Sequence, residues 1–559
     1  MDVIAYNQHE TNSIASSTDG AETQYDEESV PDLDVDGDLL SIDGDKQNKL
    51  PFRRSLFDNV APYIIFQSFE CKNGPVLPYE VARHLKWHLS TITPIIVRRT
   101  VVNSGYRLMK KCQNWCGTWG KHMKSVCYKN LKQSQKVNHF PGTYQIGRKD
   151  RLSRNLSRMV MKYGKREFGF VPRTYVLPQD LRLFRQVWEK NGGKEKWIIK
   201  PPASARGTGI RVVHRWSQIP KKRAVVVQQY LSRPLLIRGA KFDLRLYVLI
   251  TSINPLKIYI YPDGLARFAS VKYNDDINYL SDRFMHLTNY SINKTSATYT
   301  SNDCADSSTG HKWTLRTLWS YLEQENVVNI AKIWASIKDI VIKTMIAGES
   351  PINTLTRTNT TSRYCCYELF GIDILLDDNR KPWLLEVNIS PSLQSSSPLD
   401  IAVKGPLIKN VFNIAGYQLP TCIPSEEVEK LAQRYQLDLV CQDYRLHRTT
   451  LSYQERHKQS LYANLRNRED YLDEIIEDLT PDDVRHLITY EDELTQLGRF
   501  EKIFPTTTSH QYLQYFDVPR YYNMLFDAWE AKYGDNRDEG ISRLQKLCKA
   551  KYHLEQSWN

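Results

Sequence analysis

The chain has 559 residues, 41% of them hydrophobic, enough for a sizeable core and for several folding units of about 100–200 residues each. No run of about 18 apolar residues occurs, which excludes a transmembrane helix, and the polar, acidic start Met1–Gly20 is wrong for a signal peptide. The net charge of +13 is uneven: residues 1–50 hold 13 Asp or Glu against two Lys, a net of −11, which leaves +24 for the remainder. A body that basic attracts acidic partners, and nucleic acid, an anionic membrane and an acidic protein tail all qualify at this point; so does a solvated basic surface with no dedicated partner.

Residues 1–55 are rich in Asp, Ser and Gly with few large apolar side chains, the composition of a disordered acidic tail. Residues 56–195 mix basic and aromatic residues into an N-terminal α/β region. Within it, Cys112 and Cys116 lack the spacing of a zinc site, as does the vicinal pair Cys365–Cys366 further on, so the ten cysteines point to a reduced, cytosolic compartment.

Residues 196–420 carry the densest alternation of strand and helix signals. Lys196–Lys200 reads as a short apolar strand, Arg223–Leu231 as another, and Phe242–Ser252 as a third. Ile258–Ser270 reads as a hairpin turning at Pro262-Asp263-Gly264. Trp313–Tyr321 and Val328–Ile346 have helical spacing. Residues 421–559 read as a basic helical extension, with a helix start at Thr480-Pro481-Asp482-Asp483.

Four segments carry chemistry. In Trp197-Ile-Ile-Lys200-Pro-Pro-Ala-Ser-Ala-Arg206-Gly207-Thr208-Gly209, a lysine ends a strand and a small-residue loop follows. Glycines let backbone N–H groups approach phosphate oxygens, and the cations supply charge. It is no Walker loop, and taken alone it reads more readily as a plain turn. Second, Glu368–Asp377 and Pro382–Asn388 read as two strands. A two-residue turn at Asn379-Arg380 would set Asp373 opposite Glu386, with Asn388 two residues on and on the same face. Two carboxylates and an amide oxygen suit magnesium, unless they are only the polar face of a half-buried hairpin. Third, His286-Leu-Thr288-Asn289-Tyr290-Ser291 could coordinate a ligand or form capped turns. Fourth, Lys241-Phe242-Asp243-Leu-Arg245 alternates charged with apolar residues, which aims three charges into a cleft or builds a cross-strand ion ladder.

Together these segments resemble the tubulin–tyrosine-ligase-like family of the ATP-grasp superfamily, and most closely its tubulin polyglutamylase branch. The likeness runs from Asn138-His-Phe-Pro-Gly142 to about Pro420 through Lys200-Pro, Ala205-Arg-Gly207, Gln228-Gln-Tyr-Leu231, Lys241-Phe-Asp243-Leu-Arg245, His286-Leu-Thr-Asn-Tyr290, Glu368-Leu-Phe-Gly371 and Leu385-Glu-Val-Asn388. Arg499-Phe500 and Ile503-Phe-Pro-Thr506 extend it more weakly, and imply that the extension 421–559 is a candidate microtubule-contacting region. Thr208 departs from it, standing where relatives often have an apolar residue.

The resemblance implies an α/β ATP-grasp fold and an ATP- and magnesium-dependent ligase that adds free glutamate to glutamate side chains of tubulin C-terminal tails through an acyl phosphate. It implies ATP contacts from Lys200, Arg206 and Gly207, an adenine site at Gln228, Gln229, Tyr230 and Leu231, and further nucleotide contacts from Lys241, Phe242, Asp243, Thr288 and Asn289. Magnesium would fall to Asp373, Glu386 and Asn388. The incoming amino acid would fall to Arg267, Tyr290, Ser291, Lys312 and Lys404. Lys200, Arg206 and Glu386 are the expected catalytic set, and an Arg at 206 looks like the branch-initiating type. The implied partners are tubulin and microtubule tails, for a monomer in the cytoplasm and cytoskeleton, with cilium, basal body and centriole as candidate sites and no nucleic acid or membrane. Glycine or tyrosine as the added amino acid, and a non-catalytic microtubule-binding protein, stay open as alternatives.

Overall fold

The computed structural model describes residues 52–71, 77–204, 206–325, 329–435, 439–465 and 467–555, all within one compact unit, Leu50–Asn559. The expected acidic tail therefore lies outside the described residues, except for its last four. Those are ordered. Strand β1 (Phe52–Arg53) pairs with β2 (Tyr63–Ile64), and Ser55 Oγ donates to Asp492 Oδ2 at 2.6 Å. The fold thus starts before residue 56 because Phe52 has apolar neighbours to bury against.

The N-terminal region builds a small parallel sheet in the order β4-β3-β5-β6 from β3 (Lys86–His88), β4 (Arg107–Met109), β5 (Gly117–Thr118) and β6 (Lys136–Val137). A second, antiparallel sheet has the order β7-β10-β8-β9, from β7 (Thr174–Leu177), β8 (Trp197–Lys200), β9 (Arg211–Val213) and β10 (Val225–Gln229). Its apolar face packs Trp197, Ile199 and Val227 on Phe184 of the helix Leu181–Lys190.

The largest sheet has eight strands: β11 (Leu236–Ile237), β12 (Ala240–Ile253), β13 (Leu256–Ile260), β14 (Leu265–Phe268), β15 (Lys312–Thr314), β16 (Glu368–Leu376), β17 (Pro382–Asn388) and β18 (Glu501–Phe504). The fourteen-residue β12 is its spine. One edge of β12 pairs with β16, and the other with β13 and β14 laid end to end.

That arrangement corrects the expected hairpin at Pro262–Gly264. The two strands do not fold back on each other; both run antiparallel to β12, Val248 opposite Ile260 and Arg245 opposite Leu265. The interruption is a kink held by Asp263, whose Oδ1 accepts from the backbone N–H groups of Gly264 and Leu315. Gly264 is required there because a Cβ would lie 2.3 Å from the Arg245 carbonyl oxygen.

Side chains alternate across β12. Phe242, Leu244, Leu246 and Val248 enter the main core with Phe268, Ile372, Ile374 and the helix Ile330–Asn359, while Lys241, Asp243 and Arg245 take the other face. Residues 421–559 also differ from expectation. They carry 18 Lys or Arg against 25 Asp or Glu, a net of −7, so the extension is acidic and the basic excess belongs to residues 51–420, with 56 against 25. Nor is the extension only helical: β18 joins the large sheet beside β13, and Glu493 is buried against Lys257. The helix start at Thr480 is as expected, with Thr480 Oγ1 capping Asp483 N and Pro481 in the first turn. Among the described residues no helix is long and apolar enough to cross a membrane.

Candidate active site

Directly opposed residues of antiparallel strands share a face. On the large sheet Lys312 opposes Arg267, Arg267 opposes Asp243, Arg245 opposes Asp373, and Asp373 opposes Glu386. Five strands, β15-β14-β12-β16-β17, therefore present one continuous charged row to one side. The second sheet and its glycine loop supply the facing wall. Lys200, Arg206, Gly207, Gln228, Gln229, Tyr230, Leu231, Lys241, Asp243, Thr288, Asn289, Asp373 and Glu386 all line the cleft between them.

Lys200 ends β8 and donates from Nζ to Gln228 Oε1 at 2.7 Å; burial pushes its ammonium down to about 8. Lys241 reaches in from β12, donating to the Tyr230 hydroxyl (3.0 Å) and the His286 carbonyl (3.1 Å), and burial pushes it down to about 7. Two buried ammonium groups that form no salt bridge among the described residues favour an anion such as a polyphosphate. Gly207 has φ +73°, and a Cβ there would lie 2.5 Å from Ile292 Cδ1, so only glycine lets the loop pack on the segment after His286. That segment forms one short helical turn, Tyr290–Asn293, with no side-chain hydrogen bond capping its start, and it turns Thr288 and Asn289 into the cleft.

Asp373 is 2% exposed. Burial would raise its pKa, but Arg245 (2.6 and 3.1 Å) and Arg267 (2.8 Å) hold it well below the usual carboxylate range. Arg267 also grips Asp243 with two bonds, 2.8 and 2.6 Å. Asn388 Nδ2 donates to Glu386 Oε1 at 3.3 Å, so these two also lie together. The donor set, two carboxylates and an amide on one face, fits a hard divalent cation such as magnesium.

The second group of expected residues gathers beside this one. Lys312 and Lys404 both close on Asp400, each at 2.8 Å, and the Lys312 ammonium sits 4.5 Å from the centre of the Tyr290 ring. Ser291 Oγ donates to the Arg206 carbonyl at 3.0 Å, tying this group to the glycine loop. Burial pushes Lys404 down to about 8 despite Asp400.

Phe242 does not join the cleft. It points to the opposite face of β12 and packs on Phe268 at 5.5 Å. The strand's own alternation, set by Lys241 and Asp243, requires this. Two participants, Lys149 and Asp400, were not anticipated. Lys149 lines the cleft and places its ammonium 2.9 Å from Glu386 Oε2, a positive charge where a cation bound to that carboxylate would stand. Asp400 bridges the two lysines, and Arg245 clamps Asp373. Arg245 was legible from its alternation with Lys241 and Asp243; Lys149 and Asp400 come from distant helices and left no local signal.

One other cluster, His122, His139 and Glu368, brings possible metal ligands within 4.8 Å of one another. The two imidazole rings are stacked, 4.0 Å apart at 22°, so their in-plane lone pairs run side by side instead of converging on an ion about 2.0–2.1 Å from both. His139 moreover turns one ring nitrogen to Glu368 (2.8 Å) and the other to the Gly120 carbonyl (2.9 Å), and Phe140 N donates to Glu368 Oε2. This is a clamp that fixes Asn138–Gly142 on the start of β16.

With this geometry in view, the comparisons with known proteins can be placed. A family model described as the tubulin-tyrosine ligase family matches residues 128–429. The chain belongs to that family. Its fold is accordingly α/β of the ATP-grasp type, the cleft lying between the two antiparallel sheets. It is 46% identical over 519 residues to "Tubulin monoglutamylase TTLL4" of Mus musculus and 46% over 517 residues to the Homo sapiens protein of the same name, covering 89% of this chain in each case. It spans only 42% of the length of those two relatives. It is also 40% identical over 517 residues to "Tubulin polyglutamylase ttll-4" of Caenorhabditis briggsae, covering 92% of this chain and 83% of that one.

Proposed function

We propose that this chain is an ATP-dependent ligase that joins glutamate to glutamate side chains in the acidic C-terminal tail of tubulin. The observation that carries the proposal is the single charged face on which Asp373, Glu386 and Asn388 meet the cations Lys241, Arg245 and Arg267, with Lys200 across the cleft on the facing wall. The names of the relatives support tubulin as substrate and glutamate as the added residue.

The resemblance to the family supports a role for each residue. Backbone groups of Gln228–Leu231 line the pocket where the adenine edge would bind, while Lys200, Lys241 and Gly207 face its phosphates. Magnesium, when bound to Asp373, Glu386 and Asn388, would neutralise charge on the transferring phosphoryl group. The acceptor carboxylate attacks the γ-phosphorus, forming an acyl phosphate and expelling ADP. The amine of free glutamate then attacks that carbonyl, phosphate leaves, and an isopeptide bond remains after the amine loses its proton. No protein nucleophile is needed; the side chains position and neutralise anions that would otherwise repel one another. Arg267, Lys312 and Lys404 supply cations for the carboxylates of the incoming amino acid, with Tyr290 and Ser291 shaping the same corner. Arg206 is exposed at the loop and lines the cleft, and by the family resemblance an arginine there supports branch initiation.

The test is incubation of tubulin with ATP and each of radiolabelled glutamate, glycine and tyrosine. Label from glutamate alone is expected; label from glycine or tyrosine alone would assign a different amino acid. Tight microtubule binding without ATP turnover would replace the ligase with a non-catalytic binding protein.

A further inference from the structure

His286 has no role in the reaction as proposed, yet it lines the cleft and is only 2% exposed. It ends the short helix Arg283–His286, which Asp282 caps, and its ring packs near-perpendicular to Tyr230 (83°) and Tyr273 (88°).

The hydrogen bonds of this ring have one consistent direction. Nε2 lies 3.0 Å from the Tyr279 carbonyl oxygen, which can only accept, so Nε2 carries a proton. Burial, and then the nearby Lys241 ammonium, push the imidazole below its ordinary range, so the ring is neutral and Nδ1 is bare. Nδ1 lies 2.8 Å from the Tyr230 hydroxyl, which burial keeps protonated, so the hydroxyl donates to the ring. With its hydrogen committed there, the Tyr230 oxygen turns its lone pairs to Lys241 Nζ at 3.0 Å. The backbone of the same histidine supplies a second acceptor, its carbonyl 3.1 Å from Nζ. An ammonium has three N–H groups. His286 directs two of them, one through its carbonyl and one through Tyr230, which leaves the third for a ligand in the cleft. A protonated ring would undo this, because Nδ1–H would compete with Lys241 for the same oxygen.

We propose that His286 is a positioning residue for nucleotide binding: its ring accepts from Tyr230 and so orients the Tyr230 oxygen, and together with its own carbonyl this aims the Lys241 ammonium at the phosphates. The proposal deepens the ligase reading and rests on it for the identity of the nucleotide. Binding is measured apart from ligation, so the two can fail separately.

The test uses the full chain and measures the Kd for ATP with magnesium by calorimetry, and kcat on tubulin. His286→Asn places Oδ1 one bond from Cγ, where Nδ1 stood, and keeps an acceptor for Tyr230. His286→Gln places its amide one bond further out, near the former Nε2, and keeps only the link to Tyr279. The Kd should rise about tenfold in the Gln variant and less than about threefold in the Asn variant. The thermal midpoints of the two should fall together, and their kcat at saturating ATP should stay within about twofold of the unmodified chain. Tyr230→Phe should also raise the Kd about tenfold, and adding His286→Gln to it should raise it no further, since both break one chain of bonds. Equal losses of affinity in the Asn and Gln variants, or losses that multiply in the double variant, would reduce His286 to packing and overturn the proposal. If the pattern holds while the unmodified chain joins no glutamate to tubulin, the network stands and the ligase reading fails. If glutamate is joined and the pattern is absent, the network alone fails.

Discussion

Asp373 and Glu386 lie directly opposite each other across β16 and β17, although the turn joining those strands is not a two-residue one. Leu376 pairs with Pro382, leaving five residues in the loop, so near the turn the register is displaced by one from that of a two-residue turn at Asn379-Arg380. A bulge at Leu385 cancels the displacement, and also turns both Leu385 and Glu386 toward the cleft. The expected opposition holds because two departures compensate.

Asp373 neutralises two buried guanidinium groups at once. Asp373→Asn should cost about 3–5 kcal/mol, since it leaves Arg245 and Arg267 under-compensated. Glu386, whose partner Lys149 is less buried, should tolerate Glu386→Gln with a change below about 1 kcal/mol. Chemical denaturation of the two variants checks this; equal stability would mean that the Arg clamp is not what sets the Asp373 environment.

Among the described residues Lys149 is the salt-bridge partner of Glu386. Lys149→Met should lower kcat by about 100-fold at saturating nucleotide, because a fixed charge beside the transferring phosphoryl group is lost. Single-turnover kinetics would show it, and an unchanged chemical step would reduce Lys149 to a structural partner.

Burial holds Lys200 near 8 and Lys241 near 7, against an ordinary 10.5. The folded state therefore pays a penalty for charging them that is full below about pH 7 and is relieved as pH rises toward 10.5, so these two groups favour folding at higher pH. Bound phosphates reverse the preference. Nucleotide binding at pH 8 should take up protons, and affinity should fall from pH 7 to pH 9. Calorimetry in buffers of differing ionisation enthalpy measures the uptake, and a heat independent of buffer would contradict it.

Asp400 spaces Lys312 from Lys404 and is itself held by Ser397. Burial raises its pKa, but the two lysines bring it below the usual value. Asp400→Asn should raise the KM for the incoming amino acid about tenfold or more and leave the KM for ATP within about twofold. A parallel rise in both constants would mean collapse of the whole cleft.

Local pattern was enough for the lysine-terminated strand Trp197–Lys200, the alternating β12 and the carboxylate hairpin, because each is written in consecutive residues with period 2. It failed where partners are distant. The run from Leu256 to Phe268 has the composition of a hairpin, and only the fourteen-residue length of β12 makes two collinear strands the better pairing. Strand β18 is four residues among helices and is strand only because β13 offers it an edge. The charge of the C-terminal extension needed counting; dense Lys and Arg there are outnumbered by Asp and Glu that pair within it, as Asp527 does with Arg468 and Glu530 with Lys502. Lys149 and Asp400 reach the cleft through tertiary packing alone.

The most direct measurement is mass spectrometry of tubulin tails after incubation with ATP, magnesium and glutamate, using the unmodified chain and the Glu386→Gln variant in parallel. The unmodified chain should add glutamyl residues to side-chain carboxylates, and the variant, still folded, should add none. Full activity in the variant, or no addition by the unmodified chain alongside intact nucleotide binding, would contradict the assignment of Glu386 and its neighbours as the catalytic face.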